Sequence, residues 1–400
     1  MMKKRVFLLL LFSCIVMSAL AEDTTKIVRR PGFISIQMSE GFVTPSSKII
    51  MGETKTPNAV SMSLRYGIKS KGEKWEDYYY GMPYKGIGFY KPYYSIGKEI
   101  GNPFSFFLFQ GSELKKIASG VSLNYEINLG LSFNWNHYDV VGNPSFEMFG
   151  SSVNAHLGGS LYFKKALSDR FDLNWGIEVL HFSNGAMRTP NNGLNSLSAS
   201  AGVSYNFDKN KDLKKILGVI TEVPDFKKRT VHDFSLFMTK RTLNIDTVGI
   251  GIKSKYPENS FMVIGLSYAF LWHNTRRFMW GPSIELAYDE GSYVNIGGVT
   301  SGKTGLYSEV VKLGSIYERF TVGLSLKGVL VMPGYSIFGN LGCDILHGTS
   351  RGQWLYQIYG VKVSVVDGLS ASLGVKSYNL TNSKYIYLGI GYTLNKYRKK

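Results

Sequence analysis

The sequence predicts an all-β fold, a transmembrane antiparallel β-barrel of about 14 to 16 strands, and three observations predict it. Apolar and polar residues alternate with a period of two along most of the chain. After the N-terminal segment, no stretch approaches the roughly 18 apolar residues that a membrane helix needs. Aromatic residues reach 14%, with 26 Tyr and 24 Phe, and glycines number 44. Mean hydropathy nonetheless stays near zero, as it should when one face of each strand meets lipid and the other a polar lumen. Two tandem eight-stranded barrels are the second arrangement compatible with this pattern.

Residues 1–21 read as a signal peptide. MMKKR gives a positive start, VFLLLLFSCIVMS an apolar run, and Ala19-Leu20-Ala21 a small-residue cleavage site before Glu22. A lipoprotein reading would use Leu11-Phe12-Ser13-Cys14, but the residues after Cys14 stay apolar where a mature N-terminus would be polar. Cleavage removes Lys3, Lys4 and Arg5 from a formal charge of +17, and it removes Cys14, leaving Cys343 as the lone thiol. Without an intrachain disulfide, strand pairing and burial must stabilise the fold. An exported basic chain is expected to meet no nucleic acid. Anionic lipopolysaccharide and outer-membrane lipids are the expected partners of its exposed Lys and Arg.

Residues 22–207 form the first group of strands. The stretch VSLNYEINLGLSFNW, 121–135, places Val121, Leu123, Tyr125, Ile127, Leu129, Leu131, Phe133 and Trp135 on one face. Serines, asparagines, Glu126 and Gly130 occupy the other, over a length unusual for a soluble strand. Residues 208–230 lose the alternation and gather lysines, which marks a connection, with room for a short helix, expected on the periplasmic side. Residues 231–400 return to alternation, and the last such stretch ends at Leu394 before a basic tail. A terminal strand of this kind closes a barrel against its first strand and leaves no open edge.

The stretch HFSNGAMRTPNNG, 181–193, breaks the pattern chemically. Leu173, Trp175, Ile177 and Val179 form an apolar face, and the same parity continues into His181 and Ser183. After the loop, Asn195 shares the parity of Leu197, Ala199, Ala201 and Val203. Polar side chains directed at hydrocarbon are costly unless paired. A position at the extracellular rim, acting on a lipid, explains them, and a Ser–His pair within reach is the core of an acyl-transfer site. The plainer alternative is a polar loop whose Ser and Asn make turn hydrogen bonds.

The stretch resembles the outer-membrane lipid A 3-O-deacylases, called acyloxyacyl hydrolases in some related proteins. Their motif is His-x-Ser-Asn and a small residue, then Pro-Asn-x-Gly after a short gap. Here it reads His181-Phe182-Ser183-Asn184-Gly185 and Pro190-Asn191-Asn192-Gly193. The resemblance extends over 22–207 and leaves 231–400 beyond the family's small eight-stranded form. It implies that Ser183 attacks an ester carbonyl of lipid A and that His181 is the general base. It also implies an oxyanion site among Asn184, the Gly185 N–H and Asn191. The family's third member is a Glu twelve residues after the Ser, and that position is Asn195 here. An amide orients an imidazole but does not offset its positive charge. Glu178 is near in sequence but has lumen parity.

No cofactor is expected. GGVTSGKT, 297–304, matches the phosphate-loop pattern, but that loop needs a buried strand before it and a helix after it, so nucleotide is not an expected partner. Histidines 137, 156, 181, 232, 273 and 347 show no i, i+4 pair or Cys partner, so no metal site is expected. The sequence therefore predicts a serine esterase that cleaves an ester-linked acyl chain of lipid A. The alternative is a non-catalytic channel or lipopolysaccharide-binding barrel that keeps the motif.

Overall fold

A strand that alternates apolar and polar residues buries one face and needs hydrogen-bonding neighbours along both edges. This chain meets both needs by closing rings. The structure, a computed structural model, describes residues 31–45, 58–95, 97–139, 142–143, 146–208, 223–243, 260–301, 307–346, 354–378 and 382–397. The expected signal peptide and most of the 208–230 connection lie outside the described residues.

The first ring runs through β1 (Gly32–Pro45), β2 (Asn58–Lys69), β3 (Tyr84–Tyr94), β4 (Gly101–Ala118), β5 (Val121–Trp135), β6 (Asn154–Ala166), β7 (Phe171–Ser183) and β8 (Leu194–Asn206). It closes where β1 pairs with β8, from Phe33↔Asn206 to Pro45↔Leu194. The second ring contains β9 (Arg229–Thr242), β10 (Ser260–Thr275), β11 (Phe278–Asp289), β14 (Phe320–Met332), β15 (Tyr335–Leu346), β16 (Leu355–Val366), β17 (Leu369–Tyr378) and β18 (Asn382–Tyr397). It closes where β18 pairs with β9, from Gly389↔Phe237 to Tyr397↔Arg229. The transmembrane antiparallel class is as expected, but the single ring of about 14 to 16 strands is corrected to two rings of eight. The reason is that β8 takes β1 as its second neighbour, so β9 begins a new sheet after the interruption.

Between β11 and β14, β12 (Asn295–Ser301) and β13 (Tyr307–Lys312) form a separate hairpin. The phosphate-loop look-alike begins in β12, and its last residues, 302–304, lie outside the described residues.

Each ring presents an apolar band outward. On β7, Trp175 and Ile177 are 37% and 51% exposed, whereas Glu178 is 2% exposed and faces the lumen. A cysteine at 175 is therefore expected to react with a lipid-phase reagent, and a cysteine at 174 to be shielded from it. The reverse result would mean a one-residue slip, which inverts every face.

Eight strands leave an interior just wide enough for side chains, and both lumens are filled by them. In the first ring Arg65 meets Glu126 at 3.2 Å and Glu178 at 3.5 Å, and Ser39 Oγ donates to Glu178 at 3.1 Å. Aromatic side chains including Phe107, Trp135, Phe149 and Phe182 fill the end nearer the motif. In the second ring Lys376 is wholly buried between Glu285 at 2.6 Å and Asp344 at 3.3 Å, and Arg241 pairs with Asp289 at 2.9 Å. Every one of these lumenal charges has an opposite partner, as burial requires.

Short turns 119–120, 167–170, 276–277, 333–334 and 367–368 share one rim with the start of β1 and the end of β18. The opposite rim carries longer connections, among them 136–153 and 184–193. The rings also touch at both rims. At the short-turn rim, Arg277 Nη2 donates to Tyr79 O at 2.6 Å and the Arg276 guanidinium lies 4.7 Å from the Trp75 ring centre. At the other rim, the contact is made by the motif loop itself.

Candidate active site

The site starts from the parity of β7. Leu180 and Phe182 are buried in the lumen, Phe182 against Trp135 and His156 with ring centres 5.0 Å apart in each case. Anchoring those two side chains inward turns His181 and Ser183 outward on the same strand. Pairing with β8 sets Asn195 directly opposite His181, and pairing with β6 sets Ala155 opposite Ser183. One row of residues across two strands thus assembles a Ser, a His and an Asn.

The distances order them. Asn195 Oδ1 lies 2.6 Å from His181 Nδ1, and His181 Nε2 lies 2.9 Å from Ser183 Oγ. An amide oxygen only accepts, so Nδ1 carries the ring proton and donates it to Asn195. Nε2 is then the bare nitrogen, and it accepts the Ser183 hydroxyl. This is the tautomer in which an imidazole removes a proton from a serine. Ser183 is 7% exposed. Glu178, on the opposite face, is held by Arg65 and Ser39 and takes no part.

The loop after β7 is folded back over this row. Gly185, Ala186 and Gly193 have φ of 60°, 61° and 69°, a left-handed backbone that glycine adopts freely and alanine only under constraint. A Cβ on Gly193 would stand 3.2 Å from His181 Cε1 and 3.1 Å from Phe182 O, so the motif's last glycine also leaves room for the imidazole. Asn184 N–H donates to Asn191 Oδ1 at 2.8 Å, which ties the two halves of the motif together. Asn192 Nδ2 donates to Glu147 O at 2.9 Å, and Phe149 bridges to Asn191 through the backbone.

Of the six residues singled out in the sequence, His181, Ser183 and Asn195 form one hydrogen-bonded chain, while Asn184, Gly185 and Asn191 lie in the adjoining loop. Asn184 differs from expectation. Its Nδ2 donates to Arg188 O at 2.8 Å and to Ser151 Oγ at 3.2 Å, so it braces the loop, and its backbone N–H is taken by Asn191. With Asn184 engaged in this way, the Gly185 N–H and Asn191 Nδ2 are the remaining candidates for oxyanion donors.

Sequence reading missed Ser151, which lies 33 residues from Asn184 in an irregular segment that carries no periodic signal. Ser151 Oγ also donates to Val153 O at 2.8 Å, so Ser151→Ala removes two hydrogen bonds and is expected to cost about 1–2 kcal/mol of stability, read as a lowered unfolding midpoint. An unchanged midpoint would remove Ser151 from the brace.

Comparison with known proteins supplies the family. The model described as Lipid A 3-O-deacylase (PagL) matches residues 60–204, and the model described as Acyloxyacyl hydrolase, C-terminal domain, matches residues 236–396. No curated protein matches the chain. Among solved structures, the crystal structure of Neisserial surface protein A (NspA) is similar at 12% identity and TM-score 0.31, covering 44% of this chain and 97% of its own. The crystal structure of the outer membrane enzyme PagL is similar at 16% identity and TM-score 0.30, covering 42% of this chain and 97% of its own. A match to each ring, with the motif inside the first, makes this chain a member of the lipid A 3-O-deacylase (PagL) and acyloxyacyl hydrolase family, residues 60–204 carrying the deacylase part and 236–396 the C-terminal domain.

Proposed function

We propose that the protein is an outer-membrane serine esterase that hydrolyses an ester-linked acyl chain of lipid A. The observation that carries the reading is the chain Asn195–His181–Ser183, with bonds of 2.6 and 2.9 Å, on the outward face of β7 and β8. A hydrolytic row opening toward lipid has use only for a substrate that lies in the membrane leaflet. The family match agrees with lipid A as that substrate.

In this mechanism His181 Nε2 takes the Ser183 proton as Oγ attacks the ester carbonyl. The Gly185 N–H and Asn191 Nδ2 donate to the oxyanion, a contribution of about 3 kcal/mol per well-placed donor. His181 returns its proton to the leaving alcohol oxygen, and the acyl chain stays on Ser183. Water then attacks the acyl-enzyme by the same route in reverse order, releasing a carboxylic acid. Asn195 holds the imidazole in the working tautomer throughout. The rim with the longer connections is the extracellular one, following the usual pattern of outer-membrane barrels.

The channel alternative is opposed by the side chains that fill both lumens. Mass spectrometry of lipid A after incubation with the purified protein tests the proposal. The expected result is replacement of one acyl group by hydrogen, which frees the lipid hydroxyl, together with a free fatty acid that carries the oxygen of the water. Unaltered lipid A from several sources would instead favour a lipopolysaccharide-binding barrel.

A further inference from the structure

The motif loop is held from two sides, and the second side belongs to the other ring. Thr242, the last residue of β9, receives it with two backbone-directed bonds. Thr189 N–H donates to Thr242 Oγ1 at 2.7 Å, and Thr242 N–H donates to Ala186 O at 3.1 Å. The Thr242 hydroxyl in turn donates to Thr189 Oγ1 at 3.1 Å. One residue of the second ring therefore grips the loop at both arms of its bend. On β18 the side chain of Ile386 sits against Gly185 so closely that a Cβ on Gly185 would overlap its Cγ1.

These contacts fall where the loop most needs them. Ala186 holds a left-handed φ of 61°, a conformation that costs a non-glycine residue on the order of 1 kcal/mol and persists only when its surroundings impose it. Gly185, two residues after Ser183, lies between Asn184, braced by the first ring, and Ala186, braced by the second. Gly185 and Ala186 are both buried, although they belong to a connection at the rim of a barrel. Released from Thr242, the segment 185–189 would lose the bonds at Ala186 and Thr189.

We propose that the second ring serves as a positioning platform for the catalytic loop, with Thr242 and Ile386 as positioning residues that hold the Gly185 N–H in place for the oxyanion. The inference rests on the esterase reading of Ser183 for its kinetic consequence, but not for the docking itself. It also gives the C-terminal barrel a task, since that ring has no His–Ser pair at the end of β17, where Lys376-Ser377-Tyr378 stands in place of His-x-Ser.

Two experiments on the full chain test it. Thr242→Val removes the hydroxyl and keeps the shape and the backbone N–H, while Thr242→Ser keeps the hydroxyl. On lipid A, Thr242→Val is expected to lower kcat about tenfold with KM within about twofold, and Thr242→Ser to restore it, because misplacing one donor acts on the transition state. Heat-modifiable gel migration checks that both variants stay folded. A wild-type kcat in Thr242→Val overturns the positioning role.

The second experiment pairs Thr189→Cys with Thr242→Cys in a Cys343→Ser background. Oxidation is expected to join the two tryptic peptides and give near wild-type turnover, and reduction to lower turnover about tenfold, reversibly. Failure to join the peptides overturns the docking, and equal turnover in both redox states overturns its kinetic role. If the wild type hydrolyses no lipid A, the esterase reading falls, and the joining of peptides alone decides the docking.

Discussion

Ser183→Ala is expected to abolish acyl release, by at least about 10⁴-fold, with the barrel still folded. The argument is geometric. Ser183 Oγ is the one hydroxyl 2.9 Å from a ring nitrogen that the Asn195 bond leaves unprotonated. Removing it leaves His181 with no nucleophile to activate except water. Ser183 lies at the end of β7, and its backbone pairing with Ala155 does not depend on the side chain, so stability is expected to change little. Heat-modifiable migration and a tally of released fatty acid read the two effects separately. Release of acyl chains at the wild-type rate by Ser183→Ala would show that the nucleophile lies elsewhere.

The second large effect runs in the opposite direction. Replacing the amide of Asn195 with a carboxylate is expected to accelerate hydrolysis. The amide already supplies orientation, through a 2.6 Å bond to Nδ1. It does not stabilise the imidazolium formed as Ser183 attacks. In the serine-protease template, loss of the carboxylate costs about 10⁴-fold; an exposed rim screens part of that, so a gain of about 10 to 10³-fold is expected. Asn195→Asp places the carboxylate where the amide stands, whereas Asn195→Glu must fit one more methylene into a bond that is already short. The aspartate is therefore expected to gain more. A rate unchanged in both variants would mean that Asn195 does not act through His181.

Much of this site could be read from alternation alone. Trp175, Ile177 and Val179 announce an outward face, and counting on by two reaches His181 and Ser183. The same count on the next strand reaches Asn195, and the register indeed sets Asn195 opposite His181. Ring closure was less legible. Sixteen barrel strands suit one ring or two, and the choice depends on whether β8 pairs with β1 or with β9, a contact between residues far apart in sequence. The break at 208–230 hinted at the answer but did not state it. The role of Asn184 was hidden for a different reason: loop side chains choose partners by local geometry, here Arg188 and Ser151, and no periodicity encodes that. Thr242 lay further still out of reach, since it acts 53 residues from Thr189 and across a boundary between two barrels.

The central claim is that Ser183 becomes acylated with His181 as its base, and a covalent probe reads this most directly. The purified full chain would be incubated with a long-chain alkyl fluorophosphonate, which reacts only with an activated serine, and its peptides analysed by mass spectrometry. The account predicts a single adduct on Ser183, which is lost in His181→Ala and forms faster in Asn195→Asp. An adduct on another serine, or full labelling of Ser183 in His181→Ala, would contradict it.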